Sequence, residues 1–221
     1  MDLGKLIQLI ALYAIPAIFA ITLHEAAHGY AARYFGDMTA YQAGRISLNP
    51  IRHIDPVGTL LIPAIVLFTS YQMGNAFAFG WAKPVPVNFL RMLRNPKRDM
   101  FWVAAAGPGA NLFMAVVWAM LFKVMTIVPM NYFSEPALRM AEGGIIINLV
   151  LMVLNLFPLP PLDGGRIAVS LLPHRLAYQF ARIEPYGMII LLVLLFTGVL
   201  GAVMLPVIGA VWYVLKSIIG I

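Results

Sequence analysis

Apolar residues gather along this chain in long blocks separated by short polar stretches, and six blocks can be delimited: 4–32, 57–72, 100–128, 143–160, 186–203 and 204–219. A helix needs about 20 predominantly apolar residues to cross a bilayer, and the first, third and fourth blocks approach or exceed that length. They predict an all-α membrane protein of five or six apolar segments. The count stays open because the last two blocks are parted only by a break at Gly201 and Pro206, which suits either a tight hairpin or one bent helix. The second block is irregular. Its apolar core, Val57 to Phe68, carries Pro63, is shorter than a crossing, and runs into a glycine- and aromatic-bearing stretch from Met73 to Trp81.

The 221 residues are 62% hydrophobic and 11% charged, with a mean hydropathy of +0.87. That is more apolar than a soluble domain needs to fill its core. The 16 prolines and 18 glycines are too many for uninterrupted spans, and breaks within a bilayer persist only where protein or a polar cavity re-satisfies the freed backbone groups. A cavity inside the bundle is therefore expected. The absence of cysteine removes disulfides, thiolate ligands and a Cys nucleophile together, leaving His, Asp and Glu as chemical groups. The N-terminus has no multi-basic region and a longer apolar stretch than a signal peptide, so it reads as a retained first span.

Charge changes the topology. The net charge of +6 comes with 15 Lys and Arg spread over the stretches between blocks, as expected beside anionic lipid, and supports no nucleic-acid partner. Arg33, Arg45 and Arg52 follow the first block; Lys83, Arg91, Arg94, Lys97 and Arg98 precede the third; Arg166, Arg175 and Arg182 follow the fourth. The positive-inside rule puts all three groups on the cytoplasmic face, yet a full crossing at 57–72 would separate the first two. A re-entrant or hairpin element near 57–88 removes the conflict; a short true span is the alternative. The chain then starts outside, dips at 57–80, crosses outward at 100–128 and returns at 143–160. The loop 129–142 is short and no insert is large enough for a globular domain, so 1–221 reads as a single membrane-embedded domain.

The first block contains His24-Glu25-Ala26-Ala27-His28. Residues four apart share a helix face, so both imidazoles can hold one Zn²⁺ while Glu25 sits near the open position as a general base. The spacing also arises by chance in ordinary helices. In a membrane helix, however, ionisable groups persist mainly when paired, metal-bound or facing water. A catalytic zinc takes three protein ligands plus water, and the candidates for the third are Asp37, His53, Asp55, Asp163, His174 and Glu184. Asp163 follows a helix-like run broken by three prolines, Asn155-Leu-Phe-Pro-Leu-Pro-Pro-Leu-Asp163-Gly-Gly-Arg166. Its plain reading is a helix cap; the topology above, which brings it to the histidines' end of the bundle, favours a ligand.

Three segments in this order, HEAAHGYAARYFGD, Ala106-Gly-Pro-Gly-Ala-Asn111 and NLFPLPPLDGGR, resemble the site-2 protease family of intramembrane zinc metalloproteases over residues 15–170. The Gly80-Trp-Ala-Lys-Pro-Val-Pro-Val-Asn88 stretch is similar to that of the compact prokaryotic members without PDZ domains. The resemblance implies a three-helix catalytic core and one catalytic Zn²⁺ bound by His24, His28 and Asp163, with Glu25 as the base. It further implies single-pass transmembrane substrates cut within the bilayer, a place in regulated proteolysis, and an integral protein of a prokaryotic plasma membrane; the basic clusters predict that the active site lies toward the cytoplasm.

Asn111 and Asn155 fall in family motifs, where either amide could orient substrate or steady an oxyanion; the alternative is an inter-helix hydrogen bond. The stretch from Phe77 to Asn88 suits a membrane-edge strand or hairpin that pairs with unwound substrate, or else a structural loop. His53 is a candidate auxiliary ligand or polar gate, against a plain satisfied loop residue. His174 is expected at solvent or lipid headgroups. Two rivals stand beside the protease: an ion or metal transporter, which would line several spans with polar groups, and a non-catalytic scaffold with structural zinc, which would have no need of an open coordination position.

Overall fold

Helices begin and end in this chain where side chains can satisfy the backbone groups that helix termini leave unpaired. A computed structural model describes residues 3–72, 80–88, 95–129 and 131–220. Its helices are α1 (Leu3–Tyr34), α2 (Thr39–Gln42), α3 (Ile62–Gln72), α4 (Pro96–Ile127), α5 (Ser134–Asn155), α6 (Asp163–Leu171), α7 (His174–Ala181), α8 (Glu184–Phe196) and α9 (Val199–Ile219). A 3₁₀ turn at Pro50–His53 and a π turn at Pro56–Leu61 precede α3. Among the described residues there is no β-strand, in keeping with the all-α class.

α4 opens on a reciprocal cap: the Asn95 side chain accepts from Arg98 N (3.3 Å) while Asp99 Oδ2 accepts from Asn95 N (3.1 Å), with Pro96 at the first position, where no N–H is missed. α5 starts at Ser134, nine residues before the apolar block that predicts it. Asn131 Oδ1 accepts from both Phe133 N and Ser134 N at 2.9 Å, and Glu135 pairs with Arg139 one turn on at 2.5 Å. This polar first turn is helix that hydropathy does not register. The helix stops at Asn155, ahead of Pro158, Pro160 and Pro161, because proline removes a backbone donor and disfavours helix in the residue before it.

At the C-terminus the break falls at Gly198, whose φ of 77° is left-handed, and not at Gly201 and Pro206, which both lie inside α9. A positive φ ends a helix outright, whereas an interior proline costs one donor that a packed bundle tolerates.

α4, α5 and α9 are long and apolar enough to cross a membrane, and α7 with α8, bent by 64° across a short break, makes a fourth if the pair is one span. α1, at 32 residues, has the length for a crossing. The π turn and α3, of 6 and 11 residues, fall short of the roughly 20 needed. Residues 73–79, which would carry the return of a re-entrant element, and Arg91 and Arg94 of the basic group lie outside the described residues.

α1, α4 and α5 pack together, α6 lies on α4, and α9 closes over α4 and α5. The core contains Trp118, Ile145, Leu149, Leu191, Leu200 and Met204. Ala115, Ala119 and Ala141 are fully buried between helices; small residues let backbones approach closely where there is no hydrophobic drive between helices in lipid. Large apolar side chains such as Phe113, Met120, Phe196 and Leu205 point outward, as a bilayer-facing surface requires.

Candidate functional site

His24 and His28 lie one turn apart on α1 and are buried against α4 and the start of α6. The two Nε2 atoms are 3.1 Å apart, and each is 3.2 Å from Asp163 Oδ2. Both Nδ1 atoms are engaged elsewhere. His24 Nδ1 lies 2.6 Å from Asn111 Oδ1 and His28 Nδ1 lies 2.7 Å from the Val103 carbonyl. Both partners accept only, so each imidazole carries its proton on Nδ1 and turns the Nε2 lone pair to the centre.

The orientation of Asn111 is itself fixed. Its Nδ2 donates to Ala20 O (3.2 Å) and to Asn148 Oδ1 (3.1 Å), and Asn148 Nδ2 donates to Gly144 O (2.8 Å). A chain of hydrogen bonds thus runs from α5 through α4 to the imidazole on α1. Asn111 and Asn148 are fully buried. Of the two readings of Asn111, the observed contacts match the inter-helix hydrogen bond: both ends of its amide are taken by protein.

Asp163 arrives by a different local device. The segment 156–162 turns back on itself, and a Cβ at Gly164 would overlap the Leu156 carbonyl while one at Gly165 would overlap the Pro160 backbone. Only the paired glycines let the first turn of α6 rest on that segment and aim the preceding carboxylate inward. Asp163 Oδ2 is buried without a directed hydrogen bond.

Three acceptor atoms therefore converge with edges of 3.1, 3.2 and 3.2 Å. Ligands held at 2.0–2.1 Å in a tetrahedron stand about 3.3 Å apart, so this triangle has the spacing of three zinc ligands. His24, His28 and Asp163 form the metal-capable group found among the described residues. The rings reach this position because α4 offers Gly107 opposite them: a Cβ there would overlap His28 Nε2 and crowd His24.

The triangle opens onto a cavity of about 320 Å³ bordered also by Glu25, Trp81, Val85, Asn155 and Arg166. Glu25 is half-buried on the same face of α1, with Oε2 accepting the Val85 amide at 2.8 Å. Val85 lies in an irregular segment, residues 80–88, outside any helix or strand; residues 77–79 of the expected strand or hairpin lie outside the described residues. Asn155 borders the cavity while donating from Nδ2 to Leu151 O (3.0 Å).

The other third-ligand candidates are elsewhere. Asp37 accepts from Thr39 N and Asn88 N, and Asp55 accepts from Val57 N and Gly58 N. His174 and Glu184 begin α7 and α8. His53 is buried and donates from Nε2 to Ser47 O at 2.8 Å, apart from the metal-capable group and the residues lining the cavity. Sequence reasoning passed over Asn148, Gly107, the Val103 carbonyl and the Val85 amide. An amide alone within the apolar Gly-Gly-Ile-Ile-Ile-Asn148 run is a signal that could have found the first; backbone groups leave none.

Residues 134–198, which include Asn148, Asn155 and Asp163, match Peptidase family M50. YwhC of Bacillus subtilis (strain 168), which carries a zinc-metalloprotease name, is 38% identical over 207 residues, covering 92% of this chain and 89% of that protein. Rip2 of Mycolicibacterium smegmatis, similarly named, is 29% identical over 83% of this chain, which spans 66% of that protein's length. Rip2 of Mycobacterium tuberculosis (strain H37Rv) is 25% identical over 80% of the chain, covering 63% of that relative. No solved structure matches the chain significantly. With two imidazoles and a carboxylate at zinc spacing, and a relative of this identity matched along most of its length, the chain belongs to peptidase family M50, the site-2 protease family of zinc metalloproteases.

Proposed function

We propose that this metalloendopeptidase cuts the transmembrane segments of single-pass membrane proteins at a single zinc ion held by His24 Nε2, His28 Nε2 and Asp163 Oδ2, with Glu25 as general base. The observation that carries the reading is the convergence of three buried acceptors 3.1–3.2 Å apart, an arrangement that repels itself unless a cation neutralises it. A zinc ion held by these three residues would supply a Lewis acid for the scissile carbonyl and lower the pKa of a bound water molecule. Glu25 borders the same cavity and can take a proton there and return it to the leaving nitrogen.

The cavity bears on the form of the substrate. In an α-helix the backbone carbonyls are already hydrogen-bonded and are shielded by side chains, so a helical segment in the cavity offers no free carbonyl to the site. A transmembrane helix must therefore unwind locally to present a bond, and its freed backbone groups need partners in a dry environment. Asn155 and residues of the 80–88 segment border the cavity and are the polar groups we assign to that purpose.

The three clusters of basic residues favour a site toward the cytoplasmic face of a prokaryotic plasma membrane, where cleavage would release a membrane-tethered regulator. The experiment is a trap. Glu25→Gln should keep zinc and, in native membranes, accumulate complexes with single-span proteins that the parental enzyme turns over. Capture of no such protein, or turnover by Glu25→Gln at the parental rate, would overturn the proposal.

A further inference from the structure

A general base at the end of a flexible side chain works only if its carboxylate is aimed, and α1 alone does not aim Glu25. The hydrogen bond found on that carboxylate among the described residues comes from the backbone: Val85 N donates to Oε2 at 2.8 Å, and Glu25 borders the cavity.

The donor is unusually isolated in sequence. Val85 stands between Pro84 and Pro86, which have no N–H and hold their own φ fixed. Its amide is thus the sole backbone donor of three consecutive residues. The segment is anchored on both sides. Lys83 N donates to His53 O (3.0 Å) and Lys83 O accepts from Arg45 (2.7 Å), while Asn88 N donates to Asp37 Oδ2 (2.6 Å). The Val85 side chain, 6% exposed, sits over Gly29, one turn beyond Glu25, where a Cβ would lie 3.4 Å from Val85 Cγ1. With the amide this deeply placed, Glu25 is also the group that keeps a buried N–H from going unpaired.

We infer that the Val85 amide is the positioning donor of the active site: it clamps Glu25 Oε2 and leaves Oε1 free to exchange a proton over the metal centre. The inference rests on the proposed role of Glu25 as base. It gives the Pro-Val-Pro segment a task distinct from contacting substrate, since the donor points at the enzyme's own carboxylate.

Replacing Val85 by its α-hydroxy analogue turns one amide into an ester and removes the N–H while keeping the side chain; Val85→Pro removes it by ordinary mutagenesis. The probe is the single-span protein captured by the Glu25→Gln trap, reconstituted with full-length enzyme in liposomes. The ester form should lose about tenfold or more in kcat, the scale on which misplacement of a reacting group acts, with KM within about twofold. Its zinc content should equal the parental value, and in a Glu25→Gln background the ester should cause no further loss, because both changes act through one group. The positioning role is overturned if the ester form keeps the parental kcat, gains activity as release of a latch would produce, loses zinc, or loses as much again in the Glu25→Gln background. A fast Glu25→Gln enzyme would instead sink the base assignment itself, whereas a slow Glu25→Gln with a fast ester form sinks only the positioning role.

Discussion

At the residue scale the site is defined less by its three ligand atoms than by what holds their protons elsewhere. His24 presents Nε2 because Asn111 Oδ1 takes its Nδ1 proton, and Asn111 points that way because its Nδ2 is held by Ala20 O and Asn148 Oδ1. Asn148→Ala frees the Asn111 amide to rotate and should weaken zinc binding about 10- to 100-fold, the usual effect of losing an outer-shell partner, measured by competition against a metal buffer. Glu25→Gln should leave that affinity at the parental value while cleavage falls by about 10²- to 10⁴-fold. Equal zinc affinity in Asn148→Ala would mean that the hydrogen-bond chain orients nothing. The histidine pair was legible in the sequence because a four-residue spacing fixes a shared helix face whatever the tertiary structure. The direction of the Asn111 amide was not, since it depends on a residue 37 positions away on another helix.

At the scale of elements, close approach governs both arms of the site. α4 can lie against the imidazoles only because residue 107 has no side chain, and Gly107→Ala would put a methyl group where His28 Nε2 stands. Alanine is the better helix former by about 1 kcal/mol, so helical content should hold or rise on circular dichroism while zinc affinity drops at least about tenfold. A parental affinity in this variant would show that the helices are not packed as described. Hydropathy located the long helices, α1 and α4, with errors of a few residues, because a bilayer crossing leaves an uninterrupted apolar run. It misjudged the start of α5, where polar Glu135, Arg139 and Glu142 occupy helical turns, and the α8–α9 break, where the left-handed φ of Gly198 outweighs the more conspicuous Pro206. Hydropathy reads the polar turns of α5 as loop, and a left-handed φ leaves no trace in it at all.

For the molecule as a whole, the cavity and the topology make separate demands. The basic clusters predict that His174 lies on the cytoplasmic side and Tyr132 on the opposite one. The chain has no cysteine of its own, so His174→Cys and Tyr132→Cys, both at exposed positions, can each report alone. In intact cells an impermeant thiol reagent should label Tyr132→Cys and spare His174→Cys. Labelling of both from outside would reverse the orientation assigned to the bundle. Inside the bundle, a helical substrate has its carbonyls hydrogen-bonded and must be opened before it is cut, and the scissile bond should then fall in the part of the substrate that the bilayer had kept helical. The most direct measurement is therefore the mass of the products formed from the captured single-span protein by zinc-loaded enzyme in liposomes, beside the Glu25→Gln form at equal zinc content. Products cut within the transmembrane segment, absent with Glu25→Gln, are expected; cuts confined to the water-exposed flanks, or the same products from Glu25→Gln, would contradict an intramembrane protease built on His24, His28, Asp163 and Glu25.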